Sequence, residues 1–377
     1  MFWQKEYLRQ AIRMTLNSTY QLDLPENGIL GSLLIKVEGA NVNLHGVAAD
    51  AWRVLDNITK MEIILNGATI CKSLRGDAVQ ALAFYDNGIP APDIWRQQGT
   101  ETQYCYFLIN FGRHLYDPRY GLDLSKFANV ELKVTNNAAL ATEFSYLDIS
   151  ILAIYMREGA AGGPLGYMRS ETWREWTTVQ DSTEYLDIPT EHPIRRIILQ
   201  AKPHQTTNEI DDTGYGNLMD DIDFSMDTGQ VRIYKGGLTE IAHVNSFEYG
   251  QQIITGGVVN KTADHGVNTG LGAVLLRAHG AGSGTGAGAA VVPTYTSLSS
   301  FSTQKPESAE ANCPILSMWG GEAYHNTAVL RFDPDPDPST WLDPRNRATV
   351  ILNIHTRNTA VSAGGTNRVI LDRFVRV

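Results

Sequence analysis

The chain has 377 residues, enough for two or three domains with sizeable cores. It is 43% hydrophobic and 19% charged, and 41 acidic residues against 31 basic ones give a net charge of −10, which argues against a body that coats nucleic acid through phosphate contacts. Its 34 Gly and 15 Pro favour many turns over long helices.

No apolar run approaches the ~18 residues of a membrane span. The longest apolar-rich stretch, 147–156, contains Asp148 and Ser150 and reads as a strand. Cys71, Cys105 and Cys313 lie far apart with no CxxC pair, so free, mostly buried thiols in a reducing compartment are expected, not a disulfide scaffold or a Cys-rich zinc site. The opening MFWQKEYLRQAIRM lacks an uninterrupted apolar core and a small-residue cleavage site, unlike a secretory signal.

In chain order, residues 2–16 are predicted to form a short N-terminal amphipathic helix. On a helical wheel Trp3, Tyr7, Leu8, Ala11 and Met14 share one face, and Lys5, Arg9 and Arg13 stack at four-residue spacing on the other. Two roles fit this basic face. It lies on anionic lipid with Trp3 and Tyr7 at the interface, or the helix docks on its own domain or a neighbour with its charges solvated.

A duplication begins next. STYQLDLPENGILGSLLI at 18–35 aligns without gaps with STEYLDIPTEHPIRRIIL at 182–199, an offset of 164 residues. LDLSKFANVELKV at 122–134 aligns with LDPRNRATVILNI at 342–354, and an aromatic-Asp-Pro precedes each, at Tyr116-Asp117-Pro118 and Phe332-Asp333-Pro334. The two signatures recur in the same order, and the second copy is longer by a net 56 residues. Its unusual stretches are about 203–221, acidic and Gly-containing, and 255–310, rich in Gly, Ser and Thr. HGAGSGTGAGAA at 279–290 reads as exposed loop.

Within both copies strand patterns dominate. Val130, Leu132 and Val134 alternate with Glu131, Lys133 and Thr135, and VILNIHT at 350–356 repeats the pattern. MEIILNG at 61–67 runs into an Asn-Gly turn, with QVRIYKGG at 230–237 as its counterpart. A second short helix is expected at 167–176, after the small-residue linker 157–166. The expected fold is all-β, two tandem eight-stranded jelly-roll β-sandwiches: helix 1–16, first roll 17–157, linker and short helix 158–181, second roll 182–377.

No phosphate loop, HExxH, GxSxG or GxGxxG is present, His192 has no ligand at short spacing, and no cofactor or catalytic residue is expected. Asp333, Asp335 and Asp337 alternate in FDPDPDPSTWLD and offer oxygens that suit Ca²⁺. The interleaved prolines equally make a rigid, solvated connection, and the Gly and terminal Glu of a calcium loop are missing. The sequons at Asn17, Asn57 and Asn260 carry no information without a compartment.

The paired segments LDLPENGILGSLLI and LDIPTEHPIRRIIL, with FANVELKVT and RATVILNIHT, make the chain resemble the double jelly-roll major capsid proteins of the tectivirus, corticovirus and adenovirus-hexon lineage. The resemblance implies a non-enzymatic virion protein, assembled in the host cytoplasm. Three copies would form a pseudo-hexagonal tile of an icosahedral shell, beside penton and minor capsid proteins. It also implies surface towers from the second copy's extra loops, and an N-terminal segment carrying Trp3, Lys5, Tyr7, Arg9 and Arg13 that faces inward to an internal membrane. Sequence-specific nucleic-acid binding is not implied. The alternatives are a carbohydrate-binding β-sandwich using Trp95, Trp319 and Trp341 as stacking platforms, and a jelly-roll glycoside hydrolase, which needs a carboxylate pair.

Overall fold

The structure is a computed structural model. It describes the chain apart from residues 43–52, 95–101, 139–143, 159–162, 203–214, 251, 261–265, 269–270, 281–294, 297–299, 303–313, 359–363 and 377; over 252–322 it describes backbone only.

Alternating apolar residues fold the first copy into nine strands: β1 (Phe2–Met14), β2 (Thr19–Asp23), β3 (Ile29–Asn41), β4 (Ile58–Leu65), β5 (Thr69–Leu74), β6 (Thr102–Asn110), β7 (Leu122–Asp123), β8 (Val130–Asn136) and β9 (Phe144–Arg157). They build two facing sheets, ordered β1-β9-β3-β6, with β7 beside β3, and β2-β8-β4-β5. The second copy repeats this with β10 (Gly166–Thr177), β11 (Thr183–Asp187), β12 (Ile194–Lys202), β13 (Asp221–Met226), β14 (Val231–Gly236), β21 (Thr327–Arg331), β22 (Val350–His355) and β23 (Thr366–Arg376). Its sheets run β10-β23-β12-β21 and β11-β22-β13-β14, the same order strand for strand. Between β14 and β21 lie β15 (Gln252–Asn260), β16 (Gly266–Asn268), β17 (Leu271–Gly280), β18 (Tyr295–Thr296), β19 (Ser300–Ser302) and β20 (Pro314–Tyr324), in sheets of their own.

The duplication extends to atomic detail. Leu22 pairs with Leu132 as Leu186 pairs with Leu352, so the two repeated signatures of each copy are neighbouring strands. Asn17 and Asp181 adopt left-handed conformations, φ 51° and 50°. The hydroxyl that follows each closes the turn, Ser18 Oγ donating to the Thr15 carbonyl at 2.7 Å and Ser182 Oγ to the Val179 carbonyl at 2.6 Å.

The two expected helices are strands, and this corrects the sequence reading. Residues 2–14 form β1, paired with β9 from Phe2↔Arg157 to Met14↔Leu147. The short helix expected at 167–176 is β10, paired with β23. Positions 5, 9 and 13 are four apart, which satisfies the helical period and the period of two alike. In β1, Leu8 turns onto the core and Met14 enters it, while Tyr7 looks outward.

The helices occur elsewhere: α1 (Val54–Asn57), α2 (Gly76–Asn87), α3 (Tyr215–Leu218) and α4 (Leu238–Tyr249). α2 and α4 both have 12 residues and both follow the last strand of a β-hairpin, β5 and β14, so they too are counterparts. The pairings Ala40↔Thr102 and Gln200↔Thr327 put the loops after β3 and β12, and those before β6 and β21, at one end of each roll. The pairing Phe2↔Arg157 puts the start of β1 at the other end.

Candidate functional site

The most elaborate chemistry lies where the rolls meet. β5 of the first roll and β10 of the second pair in parallel, Ser170 opposite Lys72 and Glu171 opposite Ser73, which fuses two four-stranded sheets into one of eight. Lys72 and Asp372 are about 1% exposed, and Ser170 bridges them, receiving from Lys72 Nζ at 2.8 Å and donating to Asp372 Oδ1 at 2.6 Å. Asp372 accepts from Arg196 Nε at 2.9 Å and Arg195 at 3.2 Å, and both guanidiniums reach back to Asp86 at the end of α2. Burial disfavours the Asp372 carboxylate, yet the two arginines and Lys72 hold its pKa below the usual range. Burial lowers the pKa of Lys72.

Around this network α2 lies against the second roll. Tyr85 donates to the Thr327 carbonyl at 2.9 Å, Phe84 meets Tyr324 at 5.4 Å between ring centroids, and His325 Nε2 bonds Gln80 Oε1 at 2.8 Å. Arg368 joins Asp77, Gln200 and Glu175. Ile198, Tyr324, Val329 and Ile370 of the second roll belong to the first roll's apolar core.

The corresponding face of the first roll is open. On the outer side of sheet β1-β9-β3-β6 a depression of about 270 Å³ is lined by Tyr7, Leu34, Lys36, Tyr106, Asp148 and Leu152, among others. Lys36 pairs with Glu38 and lies 4.9 Å from the Tyr104 ring.

The sequence-derived basic residues lie on β1 but apart from one another. At about 3.3 Å per residue, Lys5 and Arg13 are separated by roughly 26 Å, where a helix would have set them about 12 Å apart. Lys5 sits 5.6 Å from the Tyr116 ring, and Trp3 meets the same ring edge-on at 5.4 Å. Arg9 donates to the Leu8 carbonyl at 2.8 Å. Arg13 pairs with Asp148 at 2.5 Å and lies 4.3 Å from the Tyr146 ring. Tyr7 lines the depression.

The three candidate calcium ligands are engaged separately. Asp333 accepts from Arg195 at 2.7 Å and Arg331 at 3.0 Å. Asp335 receives the Asp337 amide at 2.8 Å, and Asp337 caps the turn at Pro338–Thr340 through the Ser339 amide at 3.0 Å, which lowers its pKa. Among the described residues no group of three or more His, Cys, Asp or Glu is placed to hold a metal. Trp341 is 3% exposed, its indole bonded to the Asp335 carbonyl, so it offers no stacking platform. Trp95 and the Trp319 side chain lie outside the described residues, as do Cys313 and most of the 203–221 and 255–310 insertions. Cys71 and Cys105 are buried, and burial pushes the Cys71 thiol up to about 12.

No family model matches the chain, and no curated protein matches it by sequence. Solved structures do match. A crystal structure of the STIV MCP aligns over 100% of this chain and 97% of its own, with 11% identity and a TM-score of 0.60. The major capsid protein P2 from bacteriophage PM2 aligns over 99% and 98%, with 10% identity and a TM-score of 0.52. A quasi-atomic model of the PBCV-1 virus capsid aligns over 99% and 94%, with 10% identity and a TM-score of 0.57. Whole-length agreement at such low identity is agreement of architecture, and the chain has the double jelly-roll fold of these viral major capsid proteins.

Proposed function

We propose that the chain is the major capsid protein of an icosahedral virus, a non-enzymatic building block that forms homotrimers and tiles the shell beside penton and minor capsid proteins. Its place is the virion, after assembly in the host cytoplasm. One observation carries this reading: two rolls of one architecture are locked by a continuous sheet and a buried ion network, with their long loops at one end and the start of β1 at the other. Six equivalent rolls in three such chains make a near-hexagonal block, and a shell tile requires stiffness and symmetry, not a reactive group.

The loop-bearing end faces outward in this reading, and the start of β1 faces an internal membrane. Exposed Met1 and Phe2 with Lys5 suit that end, and Arg9 continues the positive charge up the strand. Purified full-length chain is expected to behave as a concentration-independent trimer by light scattering and to form hexagonal arrays by electron microscopy. A strict monomer overturns the reading. Flotation with anionic vesicles tests the membrane-facing end, and equal recovery with zwitterionic vesicles would remove the electrostatic part of that role.

A further inference from the structure

The internal joint has a counterpart that the chain leaves unfilled. The tenth residue of α2 is Tyr85, 5% exposed against the second roll; the tenth residue of α4 is Phe247, 93% exposed. Each is followed by an acid, Asp86 and Glu248. Val244, one turn earlier on α4, is 56% exposed. A large aromatic side chain held in water on a helix is an unused anchor.

The seat is duplicated as well. α2 rests on the second roll over Ile198, Thr327, Arg368 and Ile370. Strand pairing fixes their first-roll counterparts. Ile198↔Ile370 corresponds to Leu34↔Leu152, and Arg196↔Arg331 to Ser32↔Asn110, which brings Thr327 onto Tyr106 and Arg368 onto Ser150. Leu34, Tyr106, Ser150 and Leu152 all line the open depression. This depression is therefore the place where the first roll lacks the helix that the second roll holds.

The strand edges agree. β1 and β14 each end a sheet, as counterparts of β10 and β5, which pair inside the chain. Carrying Ser170↔Lys72 and Glu171↔Ser73 across the duplication sets Lys5 opposite Tyr234 and Glu6 opposite Lys235, an acid facing a base.

We infer that α4 of one copy seats Phe247 in the first-roll depression of another copy, while β14 adds in parallel to that copy's β1. The contact joins two different surfaces, so it repeats from copy to copy around a closed ring and repeats between chains the joint that exists within each. It rests on the trimer reading above and specifies its interface. A second copy is the occupant because the chain itself displays the matching joint, residue for residue.

The test combines crosslinking with an anchor substitution in the full-length chain. Neighbouring parallel strands bring paired Cα atoms within disulfide range. The double variant Glu6→Cys with Lys235→Cys is expected to give covalent dimers and trimers on oxidation, and each single variant is expected to give neither. Phe247→Asp is expected to lower the trimer fraction at least tenfold with an unchanged circular dichroism spectrum, since the side chain is exposed in the monomer. A wild-type trimer with no intermolecular crosslink, and no effect of Phe247→Asp, overturns this interface and leaves the tile reading standing. A crosslink confined to single chains also overturns it. A wild-type monomer overturns both.

Discussion

Arg196 is the residue on which the joint between rolls turns. Its guanidinium is 1% exposed and reaches Asp372 on its own roll and Asp86 on the other. Removing one member of a buried charge set strands the others, so Arg196→Ala is expected to cost ~3–5 kcal/mol in chemical denaturation, far more than cutting the exposed pair Arg345–Asp343. His325 adds a pH dependence to the same joint. Burial holds its pKa down to about 4, against a weaker upward pull from Asp77 and further lowering by Arg53 and Lys202. The unfolded imidazole titrates near 6.5, so between about pH 6.5 and 4 the unfolded chain binds a proton that the native chain refuses. Stability therefore falls as pH drops through that window. His192, also lowered by burial, contributes in the same direction. The paired carboxylates Asp372 and Asp77, both held low, add their loss only at more acid pH. Denaturant midpoints across this range should decline for the wild type and decline distinctly less for His325→Gln; equal slopes would show that His325 is not buried neutral.

At the scale of elements, the strands whose two faces differ in chemistry were legible. Leu22, Leu132, Leu186 and Leu352 lie buried where alternation and the duplication put them. β1 was misread because its charges and aromatics sit four residues apart, and because bulges after Tyr7 and Arg9 break the alternation that marks a strand; in β10 a bulge between Thr172 and Arg174 breaks it likewise. α2 was missed for the opposite reason. It is buried from Gly76 through Leu82 and again at Phe84 and Tyr85, so no polar face reveals a helical period. The site was less legible still, since the meeting of Asp86, Arg196 and Asp372 from three distant segments leaves no local spacing. β10 also has a constraint at its start. Gly166 has φ 151°, and a Cβ there would stand 2.1 Å from the Val375 carbonyl oxygen. Gly166→Ala is expected to cost ~3 kcal/mol or more by unzipping the start of β10 from β23; a change under ~0.5 kcal/mol in urea unfolding would show that this edge tolerates displacement.

For the whole molecule, the question is whether two rolls behave as two domains. A flexible tandem would have separate cores and a polar boundary. Here the first roll's core includes Ile198, Tyr324, Val329 and Ile370 of the second, one eight-stranded sheet crosses the boundary, and Asp86, Arg195, Arg196 and Asp372 tie both sides. Unfolding either roll alone would expose those apolar residues and leave buried charges without partners, a cost the remaining roll cannot offset. The chain is therefore expected to melt in one cooperative transition. The calorimetric and van't Hoff enthalpies should agree, and near-ultraviolet and far-ultraviolet circular dichroism should give coincident curves. Two separated transitions would mean that the joint is weaker than either core. In that case Arg196→Ala should widen their separation, because it acts on the joint and spares the interior of each sandwich. A single transition in wild type that splits in Arg196→Ala would identify the ion network as what makes two duplicated rolls into one rigid body.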